Sequence, residues 1–467
     1  MLKQKLTKTF SKIVFTFNKN LKVFLLLTLP ILAQLSCNTT DPNLGPELKL
    51  EDISCTEAWL QLTTNNSQLP ATITLLKNNA VSQIFNLSTK DTLLYIDSLL
   101  PNQTYKFKAI LNTSNNQQPF SNEVLAQTLD TTSHNFTWQT VTFGEMGADG
   151  SVIFDVVIIN ENDIWTDGEI YANDSLGQSI HYNAVHWNGS NWGLKRIKTN
   201  ACGGVDYPPI KSIFAFSSDD ILFAHIDGSI SHFNGIEFTN DCSLITQLNG
   251  SANKIWGRTR NDYYVVSGNG FIAHYRNGIW TKIESGTDVD LQDIYGTPDG
   301  KEIWTCGWSY NNGRVTLLKI KENSVESIWD SQTNSSLNIY RGTLLNSLYA
   351  NGNKEFVLVG GQVLRHSLID KSKVKLEWIK TFNGSKVLEL GNFGYKIKGS
   401  SKNNIAIVGD AAMIWHFNGS TWYKYNELHN EEDRLYGLAV TDNLIVAVGK
   451  RYSPGTLGGG LLIIGRR

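Results

Sequence analysis

After residue 40 the apolar positions come in short runs, most of them alternating with polar ones, and none keeps a helical period. Alternation places every second side chain on one face of a strand, so the chain is expected to be all-β. From residue 46 to 130 the runs are Leu48 and Leu50, then Ala58, Leu60 and Leu62, then Ile73 and Leu75, with polar turns between. This spacing predicts a β-sandwich. The polar stretch 131–135 reads as a linker, and beyond it the pattern changes.

From residue 136 onward one phrase returns. A histidine, an aromatic and an Asn-Gly turn appear at His186-Trp187-Asn188-Gly189, at His232-Phe233-Asn234-Gly235 and at His274-Tyr275-Arg276-Asn277-Gly278. They appear again at His416-Phe417-Asn418-Gly419, with Arg365-His366 as a degenerate copy. With Lys319 and Ile463 holding the place of the histidine where the phrase is lost, successive positions lie 46, 42, 45, 47, 50 and 47 residues apart. That period belongs to four-stranded propeller blades, and seven markers predict a seven-bladed β-propeller over 136–467. The chain ends just after the third strand of the last unit, which would leave an exposed edge. Residues 136–141 have the character of a fourth strand and are expected to close the ring against Leu461–Ile464. Asn-Gly suits a two-residue hairpin with positive φ at both positions. The acidic or amide residues before each second strand, among them Asp163, Asp220, Asp262 and Asn404, are expected to cap turns.

The first 22 residues hold six lysines and no acid, and the apolar run 23–35 that follows is too short to span a bilayer. This is the form of a secretion signal ending at Ser36-Cys37. Residues 1–36 are therefore set apart as a signal peptide and 37–45 as a tether. The remaining chain carries 35 basic and 43 acidic residues, and no basic run interleaved with aromatics. Nucleic acid is accordingly not an expected partner. Cys55, Cys202, Cys242 and Cys306 remain besides Cys37, without a CxxC pair, so a zinc or redox site has no support. Four cysteines allow three complete pairings. If any pair bonds, Cys202–Cys242 is favoured, because both fall in connections between neighbouring blades on one face; the alternative is that both are buried free thiols.

Chemistry is sparse. Five of the nine histidines occupy one strand position in different blades, so they cannot converge on a metal, and they are read as structural. HExxH, GxSxG, P-loop and EF-hand patterns are missing, and neither a cofactor nor a metal is expected. Asp288, Asp290 and Asp293 cluster in sequence, but three acids in a turn-rich loop are read as solvated. What departs from the repeat is four inserts: 168–183 in blade 1, 199–209 between blades 1 and 2, 307–314 in blade 4, and 450–459 in blade 7. All belong to connections that open on one face. They carry Tyr171, Tyr182, Asp206, Tyr207, Trp308, Tyr310, Arg314 and Tyr452, aromatics amid amides and acids that suit a glycan or a protein ligand.

Three resemblances attach to these residues. The apolar run ending in Cys37, with Gln34, Leu35 and Ser36 before it, resembles a bacterial lipoprotein signal, which implies lipidation of Cys37 and anchoring in the cell envelope, the outer membrane above all. Residues 46–130 resemble a fibronectin type III domain, on the strength of Trp59, of Leu100-Pro101-Asn102-Gln103-Thr104-Tyr105 as a tyrosine corner, and of 121–124 in the place of the penultimate strand. That implies a spacer or adhesion module, with Trp59 and Tyr105 in its core. The blade phrase Ile255-Trp256-Gly257, His274 to Gly278 and Trp280 is similar to that of secreted bacterial repeat domains. The whole order is similar to a family of envelope lipoproteins in Bacteroidetes-like bacteria. The resemblance implies no reaction. A non-catalytic binding or scaffolding lipoprotein is expected first, then a carbohydrate-active hydrolase or lyase on the same face, then a purely architectural protein.

Overall fold

The computed structural model describes residues 45–64, 69–112, 118–144, 150–199, 202–248, 251–297, 300–333, 345–351, 355–359, 363–370, 373–378, 390–452 and 458–467, with backbone alone for those from 350 to 378. The expected signal peptide, Cys37 and most of the tether lie outside these residues. Seven strands open the described chain: β1 (Glu47–Ile53), β2 (Ala58–Thr63), β3 (Ala71–Lys77), β4 (Ala80–Leu87), β5 (Asp91–Ile96), β6 (Thr104–Asn112) and β7 (Val124–Gln127). They form two sheets, β1-β2-β5 and β4-β3-β6-β7, around a core that includes Leu48, Leu60, Leu62, Ile73, Leu75 and Phe107. Tyr105 joins this core, and its hydroxyl accepts a hydrogen bond from the Leu100 amide at 2.8 Å. Two expectations need correction. Residues 121–124 lead into the last strand of the sandwich, not the penultimate one. Trp59 is fully buried, but alternation along β2 turns it away from the Leu60 and Leu62 face. It lies against Tyr95 and beneath Lys402, which belongs to the propeller.

Seven four-stranded antiparallel sheets follow. Their first strands are Val152–Asn160, Ile210–Ser217, Ala252–Thr259, Asp290–Gly296, Ser347–Asn351, Gly394–Ser401 and Asp433–Val440. An apolar cluster fills each gap between consecutive sheets, from Trp165, Ile210 and Phe223 between blades 1 and 2 to Ala406, Leu435 and Ile463 between blades 6 and 7. A seventh cluster, with Ile153, Ile164, Val446 and Leu462, joins blade 7 to blade 1. Burying each such side chain stabilises by about 1.5–3 kcal/mol, so the stack is held mainly by these gaps. Strand Thr137–Phe143 pairs antiparallel with Gly459–Arg466 and supplies the fourth strand of blade 7. It does so two residues further than 136–141. Among the described residues no helix is long and apolar enough to cross a membrane.

The repeated histidines hold one register. His186, His232, His274, His366 and His416 stand opposite Trp165, Leu222, Tyr264, Phe356 and Ala406, with Lys319 opposite Trp304 and Ile463 opposite Ala447. The acids expected to cap turns have another task. Nε2 of His186, His232 and His274 meets Asp163, Asp220 and Asp262 at 2.9, 2.7 and 2.7 Å, and Nε2 of His416 meets Asn404 at 2.9 Å. In blade 4, Lys319 with Glu302 at 2.5 Å keeps the same tie with the roles carried by other residues. The turn expectation holds for blade 3, where Asn277 and Gly278 both have positive φ. In blades 1, 2 and 6 the loop has four residues, only its glycine has positive φ, and the Asn carboxamide accepts two backbone amides, as Asn188 does from Ser190 and Asn191.

The stretch between the sandwich and the first propeller strand is bound down. Lys402 pairs with Asp52, Asn403 donates to the Asp130 carbonyl at 2.7 Å, and Thr132 N donates to the Asn418 carbonyl at 3.1 Å. The two Nδ1 atoms of His134 and His416 lie 2.8 Å apart, and Tyr425 donates to the His134 carbonyl at 2.7 Å. A side chain on Gly419 would strike the Cys55 sulfur. The segment read as a linker is thus a strap laid against blade 6.

Candidate functional site

The first strand of a blade lines the axis, and near its start it carries a bulge in every blade but the fifth. The pairing of first and second strands shifts by one residue at Phe154, Lys211, Asn253, Gln292, Tyr395 and Tyr436. The residues just after those shifts are Asp155, Ser212, Lys254, Asp293, Lys396 and Gly437, and Ser347 in blade 5 makes the same bonds as Ser212. Around the axis the order is therefore Asp, Ser, Lys, Asp, Ser, Lys, Gly. Asp155 Oδ2 accepts from Ser212 Oγ at 3.1 Å and from the Ile213 amide at 3.2 Å, and takes the Lys254 ammonium. Asp293 Oδ2 accepts from Ser347 Oγ at 2.5 Å, from the Leu348 amide at 3.2 Å and from Lys398 at 3.0 Å, while Lys396 approaches Oδ1 at 3.2 Å. Ser212 and Ser347 each accept the amide of the next blade, Ile255 and Ile397, at 3.2 Å. At the seventh position a Cβ on Gly437 would come 2.6 Å from the Phe154 carbonyl, so blade 7 approaches blade 1 only as glycine.

Charge is matched inside this ring. Burial resists ionisation of Asp293, and the ammonium groups of Lys396, Lys398 and Lys254 outweigh it, so its carboxyl lies well below the usual range. Lys254 is likewise opposed by burial but raised by Asp155 and Asp293. Asp167, on the second strand beside Asp155, goes the other way: burial first and then the Asp155 charge push its carboxyl well above the usual value. Asp155 and Asp293 are side chains with 4% and 0% exposure. They are committed to lysines and form the inner seal of the propeller.

Because a first strand begins where the inter-blade connection ends, the bulge residues lie on the insert-bearing side of that ring. Tyr395 and Tyr436 meet with centroids 5.2 Å apart and planes at 63°, and Phe393 meets Tyr395 at 5.2 Å and 64°. Tyr436 is hydrogen-bonded to Tyr452, and Tyr395 to Asp410 and Arg434. Burial, then Asp410, pushes the Tyr395 hydroxyl up to about 12. Phe154 lies under Lys211, whose ammonium is 3.8 Å from the ring centroid. Blades 6, 7 and 1 thus give the mouth of the axis an arc of half-buried rings, and blade 2 adds Lys211. Sequence reasoning missed Phe154, Lys211, Tyr395 and Tyr436; the signal was available as the residue immediately before Asp155, Ser212, Lys396 and Gly437 in each first strand.

The sequence-predicted residues do not form one platform. Stretch 168–183 is not an irregular insert: Asp163–Asn173 and Ser179–Trp187 are long paired strands joined by a short turn. Within them Tyr171 stacks on His181 and donates to Glu169 at 2.7 Å, and Tyr182 packs on the cluster between blades 7 and 1. Tyr207 lies under Arg196 at 3.8 Å, and exposed Asp206 pairs with Lys198 at 3.5 Å. A Cys202–Cys242 disulfide ties the two inter-blade connections, while Cys55 and Cys306 are free and buried. In blade 4, Trp308 donates to Asn346 at 2.7 Å and Tyr310 alone is widely exposed, at 86%. Arg314 is held by Asp330 at 2.9 Å and Asp288 at 2.8 Å, on the wall of a groove of about 600 Å³ with Phe271 and Lys282. Tyr452 lies beside Tyr436, with Arg434 and Lys450 over its ring. Only Tyr452 belongs to the axial arc. The acids 288, 290 and 293 diverge, to Arg314, to the Asn269 amide and to the two lysines, and among the described residues no group of three metal-ligating side chains converges.

No family model matches the sequence, and a search of curated proteins gives no match. Solved structures do match in fold. The chain is similar to one described as YCF48 bound to D1 peptide, with a TM-score of 0.51 and 11% identity over 72% of this chain and 97% of that one. YCF48 from Cyanidioschyzon merolae matches at 0.49 and 11%, covering 70% and 98%, and the WD40 propeller domain of Doa1 at 0.43 and 13%, covering 71% and 97%. The shared feature is the β-propeller.

Proposed function

We propose that this protein is a non-catalytic envelope lipoprotein whose propeller binds a protein ligand at the axial mouth of its insert-bearing face. In this reading lipidated Cys37 anchors the chain in the outer membrane, and a fibronectin type III-like module, strapped to blade 6, holds the propeller away from it. The observation that carries the proposal is the arc of Phe154, Tyr395, Tyr436 and Tyr452, half-buried rings gathered from three blades on the face where propeller connections open. Tyr395 stands at 63° to Tyr436 and at 64° to Phe393, as walls and not as a flat platform, which suits a chain with projecting side chains better than a sugar face. The β1-β2-β5 and β4-β3-β6-β7 sheets with the Tyr105 bond support the fibronectin-like reading of the sandwich. A propeller of like fold has been seen with a peptide bound, though that ligand belongs to the other protein.

The carbohydrate-active alternative needs two accessible carboxylates near the axis. Asp155 and Asp293 are buried and neutralised by lysines, which favours binding over hydrolysis. The test is a peptide array and a glycan and peptidoglycan-fragment array probed with residues 37–467. Peptide binding that Tyr436→Ala and Tyr395→Ala weaken at least about tenfold, with Trp308→Ala and Tyr310→Ala near wild type, supports the reading. Turnover of a glycan would replace it with the enzyme, and silence on both arrays with the architectural protein. Loss of lipid labelling in Cys37→Ala tests the anchor.

A further inference from the structure

Three cations around this mouth rest on rings and not on acids. Lys211 lies on Phe154 at 3.8 Å, Arg196 on Tyr207 at 3.8 Å and Lys450 on Tyr452 at 4.8 Å. Other cations of the same face are spent: Arg314 on Asp330 and Asp288, Arg451 on Asp433, Arg434 on Asp410. Two amides near the starts of first strands are also satisfied, the bulge residue Asn253 by the Leu291 carbonyl at 3.0 Å and Asn346, before the blade 5 strand, by Trp308. Among the described residues the Lys211 ammonium has neither a hydrogen-bond acceptor nor an ion-pair partner. Of the two acids that act on it, Asp167 is buried beside Asp155 and pushed toward its neutral form, and Glu169 accepts from Tyr171. An ammonium held on a ring, half out of water, gains most from an incoming anion, because a carboxylate supplies the charged hydrogen bond that the ring cannot.

We propose that the ligand is an acidic peptide segment, which lays an Asp or Glu carboxylate on Lys211 while a neighbouring apolar side chain packs between Phe154 and Tyr436. The inference rests on the reading of the mouth as a protein-binding site and specifies what that site selects. Arg196 and Lys450, on the flanks, extend the positive rim to blades 1 and 7, and an overall acidic chain makes such a local rim stand out. The Tyr395 and Tyr436 hydroxyls, already bonded within the protein, shape the walls.

The experiment uses the chain from residue 37 and an array of capped decapeptides in which every acidic sequence is matched by its Asn or Gln counterpart. Dissociation constants for the best pairs are then measured in solution at low and high salt. Wild type is expected to prefer the acidic member by roughly tenfold or more, with the preference shrinking as salt rises. In Lys211→Met the acid-to-amide ratio should fall toward one, while Arg196→Gln and Lys450→Gln should lower it by about twofold each. Melting curves establish that each variant is folded. Equal affinity for both members of every pair, or full discrimination retained by Lys211→Met, overturns this inference and leaves the mouth a peptide site of another selectivity. Binding confined to uronate-bearing glycans also overturns it. No binding to either array removes the site itself.

Discussion

The two halves of the axial ring use the same three residues to different effect. Blades 1 to 3 contribute Asp155, Ser212 and Lys254, and blades 4 to 6 contribute Asp293, Ser347 and Lys396, with the serine passing the carboxylate of one blade to the amide of the blade after next in both. The first half adds a second acid, Asp167, and the second half adds a second base, Lys398. Burial and the Asp155 charge push Asp167 toward its neutral form, so the first half is close to balance, while the second half holds one base more than its acid. Lys254 responds to Asp293 as well as to Asp155, so the two halves are linked electrostatically across the ring. A repeated inner strand can therefore carry a specific internal order: identical backbone geometry fixes the positions, and unequal side chains fix which blade must face which.

That comparison breaks most sharply at Asp293. Asp293→Ala leaves Lys396 and Lys398 buried without their acid, and urea unfolding at pH 7 should show a loss of about 3–5 kcal/mol. Asp155→Ala strands one lysine and leaves Asp167 beside it, so its loss should be smaller, about 1–3 kcal/mol. A loss equal to or above that of Asp293→Ala would end the idea of unequal halves.

The smallest change concerns pH. Asp167 has its folded pKa above the unfolded 3.8, so the folded state holds a proton there that the unfolded state has released, and stability declines as pH rises above about 4. Asp293 has its folded pKa below 3.8, and its contribution disappears as pH falls below that value. Asp167→Asn should raise stability at pH 7 and flatten the decline above about pH 4, with the acid limb intact. Melting temperature against pH for both proteins checks this; an unchanged slope would show that Asp167 is not the group responsible.

Much of the architecture could be read before the structure, for a local reason. Alternation fixes which side chains share a face, and a repeat must place its copies in equivalent registers, so His186, His232, His274 and His416 counted blades correctly, and the strand character of the residues near 137 marked them for the fourth place in blade 7. The site was less legible. Tyr171 and Tyr182 looked like loop aromatics because a long hairpin and an insert have the same length in sequence. Trp59 looked like sandwich core because burial against another domain leaves the same apolar signature as burial within one. The pairing of His274 with Asp262 went unseen because two residues twelve apart meet only once strand register is set.

By itself the sequence determined the strand periodicity and the seven-fold count, since both follow from spacing along the chain, while the Cys202–Cys242 bond needed the structure to choose it over free thiols. Only the tertiary structure decided that a one-residue bulge in the first strands sets Asp, Ser and Lys in a ring and lifts Phe154, Lys211, Tyr395 and Tyr436 to its mouth. Those residues are 41 to 282 positions apart in the chain, and what joins them is the rotation from blade to blade, which leaves no mark on any single segment.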